Sequence, residues 1–208
     1  MRADELMSSP VLTVTPEMSV KAAAAVLVDG KVTATPVLGG AGELVGIVSE
    51  SDLLAHGTPQ DPRAHIRLLP DDPVPLPHAV RDVMTTDVIT VPERADAADA
   101  VTVMLERRVK SLPVLRDGRV VGMVSQRDLL RALARSDDEI WADVQQRLHD
   151  HLDAPEGFRV DVREGVVTIS WTNTSRSAAV ALVRTVPGVL RAVWRREAAD
   201  VPPAQADT

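Results

Sequence analysis

Two nine-residue stretches of this 208-residue chain read as one phrase, GIVSESDLL at Gly46–Leu54 and GMVSQRDLL at Gly122–Leu130. A phrase written twice marks a duplicated structural unit and restricts the fold to one built from like halves. Each copy runs from a β-branched strand through Gly and Ser into a helix start, which puts Ser49 and Ser125 at N-cap positions with Asp52 and Asp128 three residues on. A hydroxyl and a carboxylate at this spacing leave the first helical turn together, beside free backbone N–H groups and the positive end of the helix dipole. Such a corner can hold the two hydroxyls of a ribose. The same Ser-x-x-Asp is also a capping box that only satisfies orphan amides, and both readings stand on the spacing alone.

The repeat extends well beyond the phrase. Leu6–Val14 (LMSSPVLTV) matches Val83–Val91 (VMTTDVITV), and Thr35–Leu38 (TPVL) matches Leu112–Leu115 (LPVL), at an offset of about 76 residues throughout. Each unit reads as a lead-in helix (Ala3–Met7, Ala79–Met84), a strand (Val11–Val14, Val88–Val91), an amphipathic helix and a strand ending in Pro-Val-Leu. A turn, a second strand (Leu44–Val48, Val120–Val124) and the Ser-capped helix follow. The loops GGAGE and RDG predict antiparallel neighbours. The expected core stripes are Val20, Ala23, Ala24, Leu27 and Val28 in the first copy, and Ala97, Ala98, Val101, Leu105 and Val109 in the second.

Composition excludes several functions for such a pair. The net charge of −7 is evenly spread and the chain holds only four aromatic residues, so it has neither a basic arm nor stacking surface for nucleic acid. Cysteine is absent, which excludes disulfides, thiol catalysis and Cys-based metal sites. The N-terminus MRADELMSSP has no apolar h-region and no window approaches eighteen apolar residues, so a soluble, cytoplasmic protein is expected. His56, His65 and His78 are too scattered for a metal site, and His149 and His151 diverge by about 200° on a helix. No P-loop, Ser elbow, Cys–His pair or joined carboxylates is present, and the expected chemistry is binding rather than catalysis.

Between the copies, residues 58–78 lie in a proline-rich stretch that reads as a surface linker, with Arg63 and Arg67 free to swing toward an anion. After the second Ser-capped helix, Ser136 or Asp137 caps a further helix whose buried stripe is Ile140, Val144 and Leu148. Phe158, Val160 and Val162 alternate with charged residues, a turn falls at Glu164-Gly165, and Val167, Ile169 and Trp171 alternate again, which predicts a hairpin. A helix over Ser175–Thr185 (with Ala178, Ala179, Leu182 and Val183 inward), a break at Pro187-Gly188 and a strand Val189–Trp194 complete an α-β-β-α-β unit. Residues 197–208 read as a disordered tail.

In order and wording the duplicated segments resemble the cystathionine-β-synthase (CBS) domain, which occurs in pairs. The expected fold class is α+β: two β-α-β-β-α CBS units, residues 1–57 and 79–136, around a pseudo-twofold, followed by the small unit at 137–196. The resemblance implies clefts for adenosine-containing ligands such as AMP, ADP, ATP or S-adenosylmethionine. Asp52 and Asp128 would hold the ribose with Ser49 and Ser125 beside them, and Gly46 and Gly122 would allow close backbone approach. The base would use main-chain groups near Leu12–Thr13 and Ile89–Thr90. Lys110 would meet a phosphate, with Arg127 a second candidate cation; the first-copy counterpart of Lys110 is Thr33, so the two sites are expected to be unequal. A homodimer is implied as well. The third unit looks like a BON domain, by "REGVVTIS" and "VPGV", which implies attachment to a phospholipid surface or a protein partner. Arg184, Arg191, Arg195 and Arg196 are its cationic candidates, against nine acids and eight bases in the unit as a whole. The leading expectation is a non-enzymatic ligand sensor; the alternative is a constitutive dimeric scaffold with no nucleotide bound.

Overall fold

The computed structural model describes residues 1–57, 77–152, 159–170 and 176–195, with the side chains of residues 56, 57 and 176 excepted. Most of the expected linker, Phe158, Trp171, Ser175, Arg196 and the tail lie outside the described residues. The chain divides into two compact units, Met7–Gln126 on the one hand and Met1–Leu6 with Arg127–Thr208 on the other.

In Met7–Gln126 the first repeat contributes helix α2 (Val20–Gly30), strands β1 (Ala34–Leu38) and β2 (Leu44–Ser49), and helix α3 (Glu50–Gly57). The second contributes a 3-10 turn (Val80–Asp82), β3 (Val91–Pro92), α4 (Ala97–Arg107), β4 (Ser111–Arg116) and β5 (Arg119–Ser125). β1 and β2 are antiparallel, as are β4 and β5, and β3 adds to β4 in parallel. The expected first strands are shorter than their patterns. Val14 makes a single parallel bridge to Val37, and β3 has two residues. The Thr35 hydroxyl donates to the Leu12 carbonyl.

The helices start and stop at matching places. Ser19 accepts from the Ala22 amide at 3.1 Å and Asp96 from the Ala98 amide at 3.0 Å. Lys31 and Arg108 end α2 and α4 in the left-handed region, at φ 53° and 55°. The inward stripes differ from expectation. In α4 the buried residues are Ala97, Ala100 and Met104, whereas Ala98, Val101 and Leu105 are exposed; in α2 Ala23 and Leu27 are buried and Val28 is exposed. In α4 the i, i+3, i+7 spacing holds but the stripe is rotated by about one residue, because small alanines on both sides left its phase open; in α2 the expected stripe stands, Val28 apart, with Val20 and Ala24 packed against the core.

The two repeats clasp each other reciprocally. Thr85, in the lead-in of the second repeat, exchanges both backbone hydrogen bonds with Ile47 of β2, at 2.9 Å each. Ser8, in the lead-in of the first, does the same with Met123 of β5, at 2.8 and 3.1 Å. Since Ser8 corresponds to Thr85 and Ile47 to Met123, this exchange has twofold symmetry. Val14, Leu27, Val37, Val48 and Leu53 of the first repeat share one apolar cluster with Val80 and Val83 of the second.

The other unit holds α1 (Ala3–Leu6), α5 (running from Gln126 to Leu133), α6 (Asp137–His151), β6 (Arg159–Arg163), β7 (Val166–Ser170), α7 (Arg176–Val183) and β8 (Arg191–Arg195). The expected order is present from α6 to β8. Ser136 caps α6 in a box with Glu139. β7 is central, antiparallel to β6 and parallel to β8. Ile140, Val144 and Leu148 form the buried stripe as read, joined by Val167, Ile169, Ala179, Val183 and Val186. In α7 Ala179 and Val183 of the expected stripe are buried, Leu182 is half-buried and Ala178 exposed. The Asp137 carboxylate accepts from the Glu164 and Gly165 amides at 2.8 and 2.9 Å, pinning the hairpin turn to the helix start. α5, the last helix of the second repeat, groups with this unit rather than with residues 79–126. The Arg135 guanidinium just beyond it donates to the Pro187 carbonyl, and Gly188 lies so close that a Cβ there would come within 3.0 Å of the Ala132 carbonyl oxygen.

Candidate functional site

Within Met7–Gln126 a cleft of about 300 Å³ opens beside the corner between β2 and α3. Ser49 closes β2, and Asp52 stands in the first turn of α3. The Asp52 Oδ2 accepts from the Ser49 amide at 2.8 Å and from its hydroxyl at 2.7 Å, while the Ser49 Oγ takes the Asp52 amide at 3.4 Å. The capping box is therefore formed. It uses one carboxylate oxygen; the other accepts no hydrogen bond from the described residues, and Asp52 remains half-exposed among the residues lining the cleft.

The second repeat supplies other walls of this same cleft. Ile89 and Leu112 join Ile47 as aliphatic surface, and Lys110 and Arg108 bring cationic groups. Glu50 and Asp87 add carboxylates, so the lining is mixed in charge rather than uniformly basic. Ser49, Asp52 and Lys110 thus line one cleft, together with Ile89. Arg108, Thr85 and Asp87 were not singled out in the sequence. Arg108 stands two residues before Lys110 in the turn that ends α4, and only that turn's left-handed geometry, not a periodicity, marks it.

The remaining predicted residues lie elsewhere. Thr13 is exposed and Thr90 half-buried, and neither lines the cleft. Arg127 is exposed on α5. Ser125 closes β5, half-buried. Asp128 is buried, at 9%, and its Oδ1 accepts from the Arg131 guanidinium of its own helix at 3.0 Å. Gly46 and Gly122 do not serve close approach of a ligand. A Cβ on Gly46 would lie 2.7 Å from the Met84 sulfur and 3.1 Å from the Thr85 carbonyl oxygen, and one on Gly122 would lie 2.1 Å from the Met7 sulfur. The glycines make room for the lead-in segments that clasp the opposite repeat. Among the described residues no cluster of His, Asp or Glu could hold a metal, and no helix is long and apolar enough to cross a membrane.

A reciprocal pair of strand-helix repeats with a cleft at a Ser-x-x-Asp corner defines a class of paired strand-helix modules. The CBS domain profile matches residues 3–57 and 80–135, and the chain belongs to the CBS-domain family. It is similar to the inosine-5'-monophosphate dehydrogenase of Methanocaldococcus jannaschii, 29% identical over 62% of this chain and 23% of that protein, so it spans about a quarter of the dehydrogenase's length. An uncharacterized protein of the same organism is 33% identical over 50% of this chain and 74% of its own. Among solved structures, CBSX2 in complex with AMP is 28% identical, with a TM-score of 0.50 over 63% of this chain and 94% of that one. The CBS domain pair of protein MJ0100, in complex with 5'-methylthioadenosine and S-adenosyl-L-methionine, shares the fold at a TM-score of 0.51 and 24% identity, covering 63% of this chain and 94% of that one.

Proposed function

We propose that the chain is a regulatory module that binds an adenosine-containing nucleotide in the cleft beside Asp52. The observation that carries this reading is the uncommitted carboxylate oxygen of Asp52 in a cleft that also holds an aliphatic wall and two cations. The ribose hydroxyls go to Asp52 and Ser49 through charge-assisted hydrogen bonds. The base lies among Ile47, Ile89 and Leu112, and a phosphate meets Lys110 and Arg108. The AMP complex of CBSX2 supports this ligand class. Asp52 and Lys110 come from different repeats, so a ligand that contacts both shifts the equilibrium between their relative dispositions. In this reading the chain performs no catalysis and works in the cytoplasm.

The C-terminal unit serves as the output or attachment module, in the manner of a BON domain, toward a protein partner or a phospholipid surface. A homodimer forms through the repeats; Val28, Leu54 and Leu105, exposed at 74%, 66% and 67% on α2, α3 and α4, supply apolar surface for it. A second reading, a scaffold that binds no nucleotide, draws on Asp128, which is buried and already paired with Arg131. Thermal unfolding of the full chain with AMP, ADP, ATP and S-adenosylmethionine separates the two. A nucleotide at a hundred times its Kd stabilises the chain by about 2.7 kcal/mol; no shift with any of the four leaves the scaffold.

A further inference from the structure

The three strands of the C-terminal sheet bury one face and leave the other open. Val160, Val162, Val167, Ile169, Ala192 and Trp194 pack into the core, so the alternate residues face outward. Their register is a grid. Arg159, Ser170 and Arg195 lie abreast in one row, Asp161, Thr168 and Val193 in the next, and Arg163, Val166 and Arg191 in the third. Arginines therefore occupy all four corners of a patch roughly 10 Å by 13 Å, and all four are exposed. Asp161 is the grid's single acid and lies 3.1 Å from Arg163. The patch is net positive on a chain whose overall charge is −7. It borders an open hollow of about 770 Å³, flanked by Trp141.

We propose that this face is a docking surface for an acidic segment of a partner protein, its carboxylates received by Arg191 and Arg195, the corners of the β8 side. The proposal rests on the attachment role given to the unit above and is independent of nucleotide binding. Guanidinium forks bind carboxylates bidentately, and the Thr168 and Ser170 hydroxyls between them offer further donors. An extended peptide rises about 3.3 Å per residue, so acids four residues apart span the distance from Arg191 to Arg195 on β8. The nine grid positions hold no aromatic side chain on which bases could stack, which disfavours single-stranded nucleic acid. The patch is little wider than one screening length, about 8 Å at physiological salt, and lies on an otherwise acidic chain, which disfavours an extended anionic lattice such as a membrane or a duplex. The Trp141 indole donates to the Val160 carbonyl at 3.1 Å, so the β6 edge is engaged there and the peptide lies across the face rather than adding a strand.

The test is fluorescence anisotropy of a labelled octaglutamate peptide with the full chain, alongside co-sedimentation with vesicles containing anionic lipid and titration with an oligonucleotide duplex. Saturable peptide binding is expected, weakening as salt rises and falling at least about tenfold in Arg191→Ala/Arg195→Ala. Arg184→Ala, outside the grid, is expected to leave it unchanged, and circular dichroism verifies the fold of each variant. Peptide binding that survives the double substitution, or is lost equally in Arg184→Ala, overturns the proposal. Vesicle or duplex binding without peptide binding overturns it while leaving the attachment role in place; binding to none of the three removes that role from this face as well.

Discussion

At Asp52 one carboxylate oxygen closes the capping box and the other accepts no hydrogen bond from the described residues, so the cap does not exclude the proposed ligand contact at this position. Asp52→Ala is accordingly expected to have two effects. Loss of the cap lowers stability by about 1 kcal/mol, read as a lower midpoint in urea. Loss of the charge-assisted bond weakens nucleotide binding by roughly tenfold or more, read by calorimetry on the still-folded variant. Asp128→Ala is expected to separate the two, lowering stability through loss of a nearly buried paired carboxylate while leaving binding at the Asp52 cleft unchanged. The spacing made Ser49 and Asp52 legible because both sit in a repeated phrase at a helix start, whereas Lys110 came from the family resemblance. Neither gave access to Arg108 or Asp87, which reach the cleft through a left-handed turn and a lead-in loop that no periodicity describes.

Element types and order were readable nearly throughout, because β-branched runs, turn residues and caps agree with one another in both repeats. Phase was not. Alanine-rich α4 admits neighbouring stripes, and the packing surface buried Ala97, Ala100 and Met104 where Ala98, Val101 and Leu105 were expected. The phrase glycines were misread for a related reason: sequence marks a close approach but not what approaches. Gly122→Ala must displace Met7, whose Cγ and Cβ would stand 2.7 and 2.9 Å from the new carbon. A loss of about 1–3 kcal/mol is expected, smaller in combination with Met7→Ala than the sum of the single changes; strict additivity in the double-mutant cycle contradicts the clasp. At the start of α6, the Ser136 amide and hydroxyl both donate to Glu139 at 2.9 Å and hold its carboxyl below its ordinary 4.5. A depressed folded-state pKa gives stability that is complete above about 4.5 and lost as the pH falls through the lower folded value. Urea midpoints between about pH 3 and 6 are expected to fall on the acid side, and less steeply in Glu139→Gln.

Across the molecule, duplication makes the site. The Ser8–Met123 and Thr85–Ile47 exchanges tie two like halves, and the cleft takes its carboxylate corner from one half and its cations from the other. The halves have diverged at that cleft. Lys110 has Thr33 as its counterpart, and Asp52 is half-exposed where Asp128 is buried. In the proposed function the module responds to its ligand by repositioning the halves, and the similarity to about a quarter of a dehydrogenase's length fits a unit that is combined with other domains. Isothermal titration of the full chain with AMP tests the central claim directly. Saturable heat that falls by about tenfold or more in affinity in Asp52→Ala, with that variant still folded, is the result predicted. Absence of saturable heat, or an affinity unchanged in Asp52→Ala, contradicts it.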